Sequence, residues 1–224
     1  MNQALADLAN RVAYSDRLQC ADHTVATARL DIDLKKISLL SDSSWLSTVC
    51  SPEPEHAALF LNVETLDDMV DTSSKNSATN PLEACIVNAI VEALKQGNVK
   101  PSDIGVIAPY RDQVALLRRS LLRHAVDVST VDQFQGRDKP VIIYSCTKRA
   151  DKEDKKVKEG EVLNDQRRLA VSVTRAKHKF LIIGDSAALR RYAPLQQLIQ
   201  SCTTVNLDKN VVNNIRDKYK MYVS

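Results

Sequence analysis

Short apolar runs alternate with longer amphipathic segments along most of the chain, and this alternation limits the folds available to it. Runs typical of strands lie at residues 57–63, 104–108, 126–131, 140–146 and 180–183. Segments with apolar residues at helical spacing lie at 81–96, 111–124, 163–177 and 194–202. Strands that alternate with helices form βαβ units, so we predict an α/β fold with a parallel sheet and right-handed crossovers.

A helix start signal marks where the predicted domain begins. Asn80 is a favourable helix cap and Pro81 suits the first helical position, while Gly97 is a stop signal. We therefore divide the chain into an N-terminal helical and loop segment (1–80), an α/β domain (81–208) and a polar tail of uncertain structure (209–224). Smaller predicted elements are an amphipathic helix at 1–18 and loops at 41–55, 64–80 and 148–161.

The net charge of +3 hides a strong asymmetry between the two parts of the chain. Residues 1–100 hold 8 basic and 14 acidic residues, a net charge of −6, whereas residues 101–224 hold 23 basic and 14 acidic residues, a net charge of +9. A polyanion-binding surface is therefore expected mainly on the second part.

Composition excludes several classes of function. The five glycines of this 224-residue chain form neither G-x-G-x-x-G nor G-x-x-x-x-G-K-[ST], so the chain has no P-loop of its own. No two cysteines are spaced as CxxC and the four histidines lack ligand spacing, so we expect no metal site. The apolar runs are too short to span a membrane, and the N-terminus lacks a signal-peptide pattern, which favours an intracellular protein.

Polar and charged residues follow two of the predicted strands. Ligands of open parallel sheets bind at the carboxyl ends of strands. Residues 109–113 and 132–138 occupy such positions, and the predicted helix at 163–177 adds arginines. We expect these side chains to converge on one rim that suits a polyphosphate and a nucleic-acid backbone. A plain turn at 135–138 and a solvated basic helix face are the alternatives.

Three of these stretches together resemble helicase motifs of superfamily 1, 5′-to-3′ branch. Residues 103–113 resemble motif IV, 129–139 resemble motif V and 163–177 resemble motif VI, in the family's order and spacing. Within that branch, the continuation Arg175-Ala176-Lys177-His178-Lys179 is similar to the eukaryotic DNA replication ATP-dependent helicase/nuclease family. The resemblance implies the second, C-terminal RecA-like domain of such an enzyme.

The resemblance also implies roles for individual residues. Arg175 would be the arginine finger that stabilises charge on the γ-phosphate of ATP, and so the catalytic residue of this domain. The implied ATP-binding residues are Gln135, Gly136, Asp138 and Arg168. The implied nucleic-acid-binding residues, which would hold the phosphates of a single strand, are Pro109, Tyr110 and Thr130.

The resemblance places other parts of the enzyme before Met1. These are the first RecA-like domain, which would mainly hold ATP and Mg²⁺, and the nuclease domain with its iron–sulfur cysteines. We therefore expect no iron–sulfur cluster here and no ATP hydrolysis by the chain alone. The implied partners are single-stranded DNA, the first RecA-like domain in cis and a single-strand-binding protein. No membrane association is expected, and the implied location is the nucleus, with the mitochondrion as an alternative.

Three positions depart from the family's pattern in motif VI. Ala170 stands where Asn is usual, Ser172 where Ala is usual, and Gln166 where Trp or Pro is commoner. Losing an amide at residue 170 could remove a hydrogen bond near the finger. This departure and the absent first domain keep open a non-catalytic RecA-like binding module. An RNA helicase of the same branch, in which RNA replaces DNA, is a second alternative, because the motifs alone barely separate the two kinds of helicase.

Overall fold

The computed structural model describes residues 1–40, 43–63, 79–148 and 161–223. Its centre is a six-stranded sheet with the order β3-β2-β4-β5-β1-β6, in which every neighbouring pair is parallel. The strands are β1 (Ala58–Asn62), β2 (Ile104–Ala108), β3 (Asp127–Thr130), β4 (Lys139–Ser145), β5 (Ala176–Gly184) and β6 (Thr203–Asn206). The predicted α/β fold with a parallel sheet is confirmed.

Helices cover both faces of the sheet. The described α-helices are α1 (Gln3–Ala9), α2 (His23–Ala26), α3 (Ser44–Cys50), α4 (Pro81–Gln96), α5 (Arg111–Ser120), α6 (Val131–Phe134), α7 (Gln166–Thr174), α8 (Ser186–Leu189), α9 (Ala193–Gln200) and α10 (Lys209–Tyr219). Alternate residues of one strand enter two separate cores, as Leu59 and Leu61 pack with α4 while Phe60 packs with α7 and α9. None of the helices in the described ranges is long and apolar enough to cross a bilayer.

Helix α4 begins as its sequence predicts. The side chain of Asn80 accepts a hydrogen bond from the Glu83 amide, Pro81 is the first helical residue, and Gly97 follows the last. The helix is buried along most of its length, because the sheet lies on one side and α10 on the other.

The structure differs from the prediction for one loop and one helix in the first part of the chain. Residues 41–55 were expected to be a loop, but Ser44–Cys50 is helix α3, since Trp45, Leu46, Val49 and Cys50 are buried at helical spacing. The predicted helix at 1–18 is α1 followed by a wider π-helical turn, Asn10–Tyr14. The predicted loops at 64–80 and 148–161 lie almost entirely outside the described residues.

The helix predicted at 163–177 is shorter at both ends. Asp165 caps it by accepting hydrogen bonds from the amides of Arg167 and Arg168, so α7 starts at Gln166. At the other end, Ala176 already pairs with Lys139 of β4, so the chain enters β5 immediately after Arg175. No loop separates α7 from β5.

The C-terminal part of the chain is ordered around the same sheet. Strand β6 pairs with β1, and Asp208 caps helix α10. Helix α10 packs on α4 through Val212, Ile215 and Tyr219. The tail beyond residue 208, whose structure the sequence left uncertain, is therefore largely helical. The predicted division at residues 80 and 208 stays a prediction.

Candidate functional site

The predicted site residues lie at two opposite edges of the sheet. Thr130 ends β3 and Tyr110 lies two residues after β2, so both belong to the carboxyl edge. Asp138 and Arg175 directly precede β4 and β5, so they belong to the amino edge. The expectation of one common rim is wrong, because α7 runs from the first edge to the second. Arg168 and Arg175 are about 10 Å apart along this helix axis at 1.5 Å per residue.

At the amino edge, Arg175 and Asp138 form an ion pair. Arg175 Nη1 lies 2.7 Å from Asp138 Oδ1. The guanidinium also donates to the carbonyl of Val171 from Nε at 3.3 Å and to Thr174 Oγ1 at 3.3 Å. Its side chain is 20% exposed and that of Asp138 is 48% exposed, so solvent or a ligand can reach the pair. The backbone amide of Lys139 donates to the Arg175 carbonyl at 2.9 Å, which keeps the two segments together.

The turn before Asp138 is open on its outer side. Gly136 has a φ of +81°, and a Cβ added to it would have no atom within 4 Å. Glycine is therefore favoured by the left-handed backbone, not by crowding. Arg137 holds the turn against the protein. Its Nη1 donates to both oxygens of Asp127 at 3.0 Å, and its guanidinium lies 5.0 Å from the centre of the Phe134 ring. This open turn lies two residues before Asp138, the partner of Arg175.

The adjacent arginines of α7 have different partners. Arg168 donates from Nε and Nη2 to the two oxygens of Asp132 at 3.0 and 3.1 Å, and this pairing raises its pKa. Arg168 thereby ties motif VI to motif V. Arg167 is exposed and forms no ion pair within the described ranges. Gln135 is also exposed, on the same turn as Gly136. Helical spacing separates the two adjacent arginines by about 100° but does not show which of them pairs with a carboxylate.

At the carboxyl edge, Tyr110 takes part in a small polar cluster. Its hydroxyl donates to Glu161 Oε1 at 3.0 Å, and Lys148 Nζ lies 2.8 Å from the same oxygen. Burial, followed by the charge of Glu161, raises the pKa of Tyr110 well above its usual range, so the hydroxyl keeps its proton. Pro109 is buried and Thr130 is half-buried at the neighbouring strand end. The structure brings these predicted residues to one edge.

Beneath this edge lies a buried polar network centred on Glu83. Its carboxylate accepts hydrogen bonds from the Thr147 amide at 2.9 and 3.0 Å, from Ser145 Oγ at 2.5 Å and from Asn80 Nδ2 at 3.1 Å. Gln113 donates to Ser145 Oγ at 3.0 Å. Glu83 stands in the first turn of α4, where an acid is a common helix-start residue. A helix-start acid is usually exposed, so the sequence alone does not show that Glu83 is buried.

The network holds one residue in an unusual conformation. Thr147 has a φ of +73°, a region that β-branched residues rarely adopt. It is 5% exposed, and its amide is bound by both oxygens of Glu83. Strain of this kind persists only where the surroundings enforce it. Glu83 therefore fixes the direction in which the chain leaves β4.

Metal-binding groups do not assemble within the described residues. No set of three or more His, Cys, Asp or Glu side chains there is placed to hold a metal ion. The five cysteines all lie in described segments and are free thiols, three of them buried.

A six-stranded parallel sheet with helices on both faces, carrying polar clusters at opposite strand ends, defines an α/β domain of the RecA-like type. The chain belongs to the AAA domain family, whose model matches residues 1–187.

Individual relatives of this chain share a more specific name than the family model gives. The chain is 38% identical over 216 residues to the DNA replication ATP-dependent helicase/nuclease DNA2 of Xenopus laevis, covering 92% of this chain and 20% of that protein. The proteins of the same name from Homo sapiens and Saccharomyces cerevisiae are 33% and 28% identical, over 92% and 96% of this chain and 20% and 14% of those proteins. The chain therefore spans about a fifth or less of the length of these relatives.

Proposed function

We propose that this chain is the C-terminal RecA-like domain of an ATP-dependent DNA helicase/nuclease that acts in replication and repair. The family, the names of the relatives and the three motifs support this function. The observation that carries it is the pairing of Arg175 with Asp138 beside the open turn at Gly136. A partly exposed guanidinium close to an accessible backbone turn suits a nucleotide phosphate.

In this proposal, the amino edge completes an ATP site whose other half belongs to a first RecA-like domain. Arg175 stabilises negative charge that develops on the γ-phosphate, a role worth roughly 10³–10⁵ in rate in other nucleotide hydrolases. The guanidinium already binds a carboxylate oxygen, so it can exchange this partner for a phosphate oxygen without leaving its place. Gln135 and Arg168 connect the nucleotide to the contact between the domains. Mg²⁺ accompanies ATP and is held mainly by the first domain.

The carboxyl edge binds the single strand in this proposal. Pro109, Tyr110 and Thr130 lie at the ends of the adjacent strands β2 and β3, and the part of the chain after residue 100 carries a net charge of +9. Contacts to phosphates carry no base information, which suits translocation along any sequence. A single-strand-binding protein is a proposed partner, and the nucleus is the proposed location, with the mitochondrion as the alternative.

A non-catalytic RecA-like module is the second candidate, and one observation favours it. Ala170, where the family usually has Asn, is 5% exposed and cannot supply a hydrogen bond near Arg175.

An ATPase assay separates the two candidates. The 224-residue chain alone should hydrolyse no ATP, and a protein that joins it to the first RecA-like domain of a relative should show strand-stimulated hydrolysis. In that joined protein, Arg175→Ala should lower kcat by about 10³-fold. Arg190→Ala, which removes an exposed arginine next to α8, is the matched control and should leave kcat unchanged.

Other outcomes count against the proposal. Unchanged ATPase in Arg175→Ala would support the non-catalytic module, and robust hydrolysis by the chain alone would contradict a shared site. Tighter binding of a single-stranded RNA than of a DNA of the same sequence would favour the RNA helicase alternative.

A further inference from the structure

We propose that Lys148 is an additional phosphate-binding residue at the carboxyl edge, and that the carboxylate of Glu161 occupies the phosphate position when no strand is bound. This inference rests on the proposed strand-binding role of Tyr110. It assigns the phosphodiester backbone of a single strand as the ligand that displaces Glu161.

The contacts around Glu161 resemble those of a bound phosphate oxygen. Lys148 Nζ at 2.8 Å and the Tyr110 hydroxyl at 3.0 Å converge on the single oxygen Oε1. Lys148 Nζ also lies 5.8 Å from the centre of the Tyr110 ring. A cation and a hydroxyl that both point at one anionic oxygen form the donor set that phosphate oxygens take.

The position of Lys148 in the sheet extends the proposed strand-binding row. Strands β3, β2 and β4 are neighbours in that order, and all run in the same direction. Thr130 is the last residue of β3, and Tyr110 and Lys148 come two and three residues after β2 and β4, so the three residues lie at adjacent strand ends. Adjacent strands are about 5 Å apart in a sheet. A row of donors across neighbouring strands can follow the backbone of one extended strand.

Lys148 is held in place before any ligand binds. It follows Thr147, whose left-handed conformation is enforced by the buried carboxylate of Glu83. The side chain of Lys148 is 31% exposed, so its amine can meet a ligand from solution. A donor whose backbone is already fixed loses less entropy on binding.

The charge and environment of Glu161 make its carboxylate a suitable substitute for a phosphate group. The side chain is 10% exposed. Burial raises its pKa, but Lys148, Tyr192 and Tyr110 together outweigh this effect and lower the pKa, so the group is an anion at neutral pH. A phosphodiester also carries one negative charge. Exchange of one anion for the other therefore keeps Lys148 paired.

Binding of a fluorescent oligothymidine to the 224-residue chain tests the exchange. Lys148→Met should weaken binding about 3–10-fold and reduce the slope of log K against log salt by about 0.7, the loss of one phosphate contact. Glu161→Gln should tighten binding by a similar factor. The double variant should bind like Lys148→Met alone, since the carboxylate acts by occupying the lysine.

The matched control is Lys100→Met, which removes an exposed lysine before β2, at the opposite edge. It should change neither affinity nor slope. Tyr110→Phe keeps the ring and removes the hydroxyl, and a two- to threefold weakening is expected from it. Circular dichroism melting confirms that each variant is folded, and the salt slope of Lys148→Met still tests the phosphate contact if Glu161→Gln unfolds.

The outcomes distinguish this inference from the proposed function. If the unmodified chain binds the oligothymidine while Lys148→Met and Glu161→Gln bind equally well, the inference is wrong and the strand-binding function stands. If the double variant binds as tightly as Glu161→Gln, the carboxylate acts by general repulsion and the exchange is wrong. If neither the unmodified chain nor Glu161→Gln binds, both proposals fail.

Discussion

Arg175 and Asp138 form a 2.7 Å ion pair between two residues that each stand one position before a strand of the sheet. The pairing of Lys139 with Ala176 in those strands brings them together. Backbone hydrogen bonds therefore hold the two side chains side by side, and the ion pair is not needed to keep them there. Such a pair can open for a ligand without loss of structure.

This relationship predicts a small effect of the pair on stability. Asp138→Asn should change the free energy of unfolding by less than about 1 kcal/mol, because exposed ion pairs contribute little. Arg175→Ala should cost about 1 kcal/mol, since it also loses the hydrogen bond to Val171. Urea denaturation of the 224-residue chain measures both. A loss above 2 kcal/mol in either variant would show that the pair is structural.

Glu83 should behave in the opposite way. Both of its oxygens accept hydrogen bonds inside the protein, so Glu83→Gln places an amide group against at least one donor, such as the Thr147 amide. We expect a loss of about 2 kcal/mol in the free energy of unfolding.

A second glutamate of α4 is the matched control for this change. Glu92 is 25% exposed and pairs with Arg123 and Lys218 at the surface. Glu92→Gln should cost less than about 1 kcal/mol in the same urea titration. Equal losses for Glu83→Gln and Glu92→Gln would contradict the buried network.

Lys179 makes stability depend on pH. It is 1% exposed, donates to the His56 carbonyl at 2.6 Å, and burial lowers its pKa to about 8. Burial also raises the pKa of the nearby Cys50 to about 12, so this thiol is neutral at pH 7. The pKa of Lys179 in the folded state lies below its value in the unfolded state. At this position the unfolded chain therefore holds more protons between about pH 8 and 10.5, so the contribution of Lys179 to stability should rise across this range, by up to about 3 kcal/mol. Buried thiols such as Cys50 and Cys85, whose pKa values are raised, act in the opposite direction above about pH 9, so the contribution of Lys179 is read from the difference between the unmodified chain and a Lys179 variant.

A methionine at this position removes the effect. Lys179→Met should raise the free energy of unfolding by about 1–2 kcal/mol at pH 7, because no charge is buried. Its advantage over the unmodified chain should shrink as pH rises from 8 to 10. Lys177→Met, two residues earlier on β5 and exposed, should show no such trend. The same pH dependence in Lys179→Met as in the unmodified chain would contradict this origin.

Ala125 is strained by its backbone. It is exposed and has a φ of +56°, in the left-handed region that costs a residue with a Cβ about 1–2 kcal/mol. Ala125→Gly should raise the melting temperature, with a gain of about 0.5–1 kcal/mol. The same change at Ala115, an exposed position inside α5, should lower stability by about 1 kcal/mol. A loss in both variants would show that Ala125 is not strained.

Much of the fold could be predicted because the signals were local. The inner strands are buried on both faces and appear as short apolar runs, and Asn80, Pro81 and Gly97 mark both ends of α4. Helices α3 and α10 were not predicted, because the sequence of α3 is serine-rich and that of α10 is polar. Their helical structure is stabilised by a few apolar residues that pack against α4. Strand β6 is exposed and short, so its pairing with β1 carries no apolar pattern.

The site was predictable as a set of residues but not as an arrangement. The positions of Tyr110, Thr130, Asp138 and Arg175 relative to their strands follow from the chain order. Their separation onto two edges depends on where α7 ends, which is decided by the pairing of Ala176 with β4. Lys148 and Glu161 lie at the two ends of a charged run, and only tertiary structure joins them at Tyr110.

The direct passage from α7 into β5 has a mechanical consequence. Helix α7 keeps its hydrogen bonds up to the cap at Arg175, and β5 begins at the next residue. The helix and the strand therefore have no flexible segment between them. A displacement of the backbone at Arg175 is therefore carried along α7 to Arg168 and to the Asp132 bound to it. Helix α7 therefore couples the position of the amino edge of the sheet mechanically to that of the carboxyl edge.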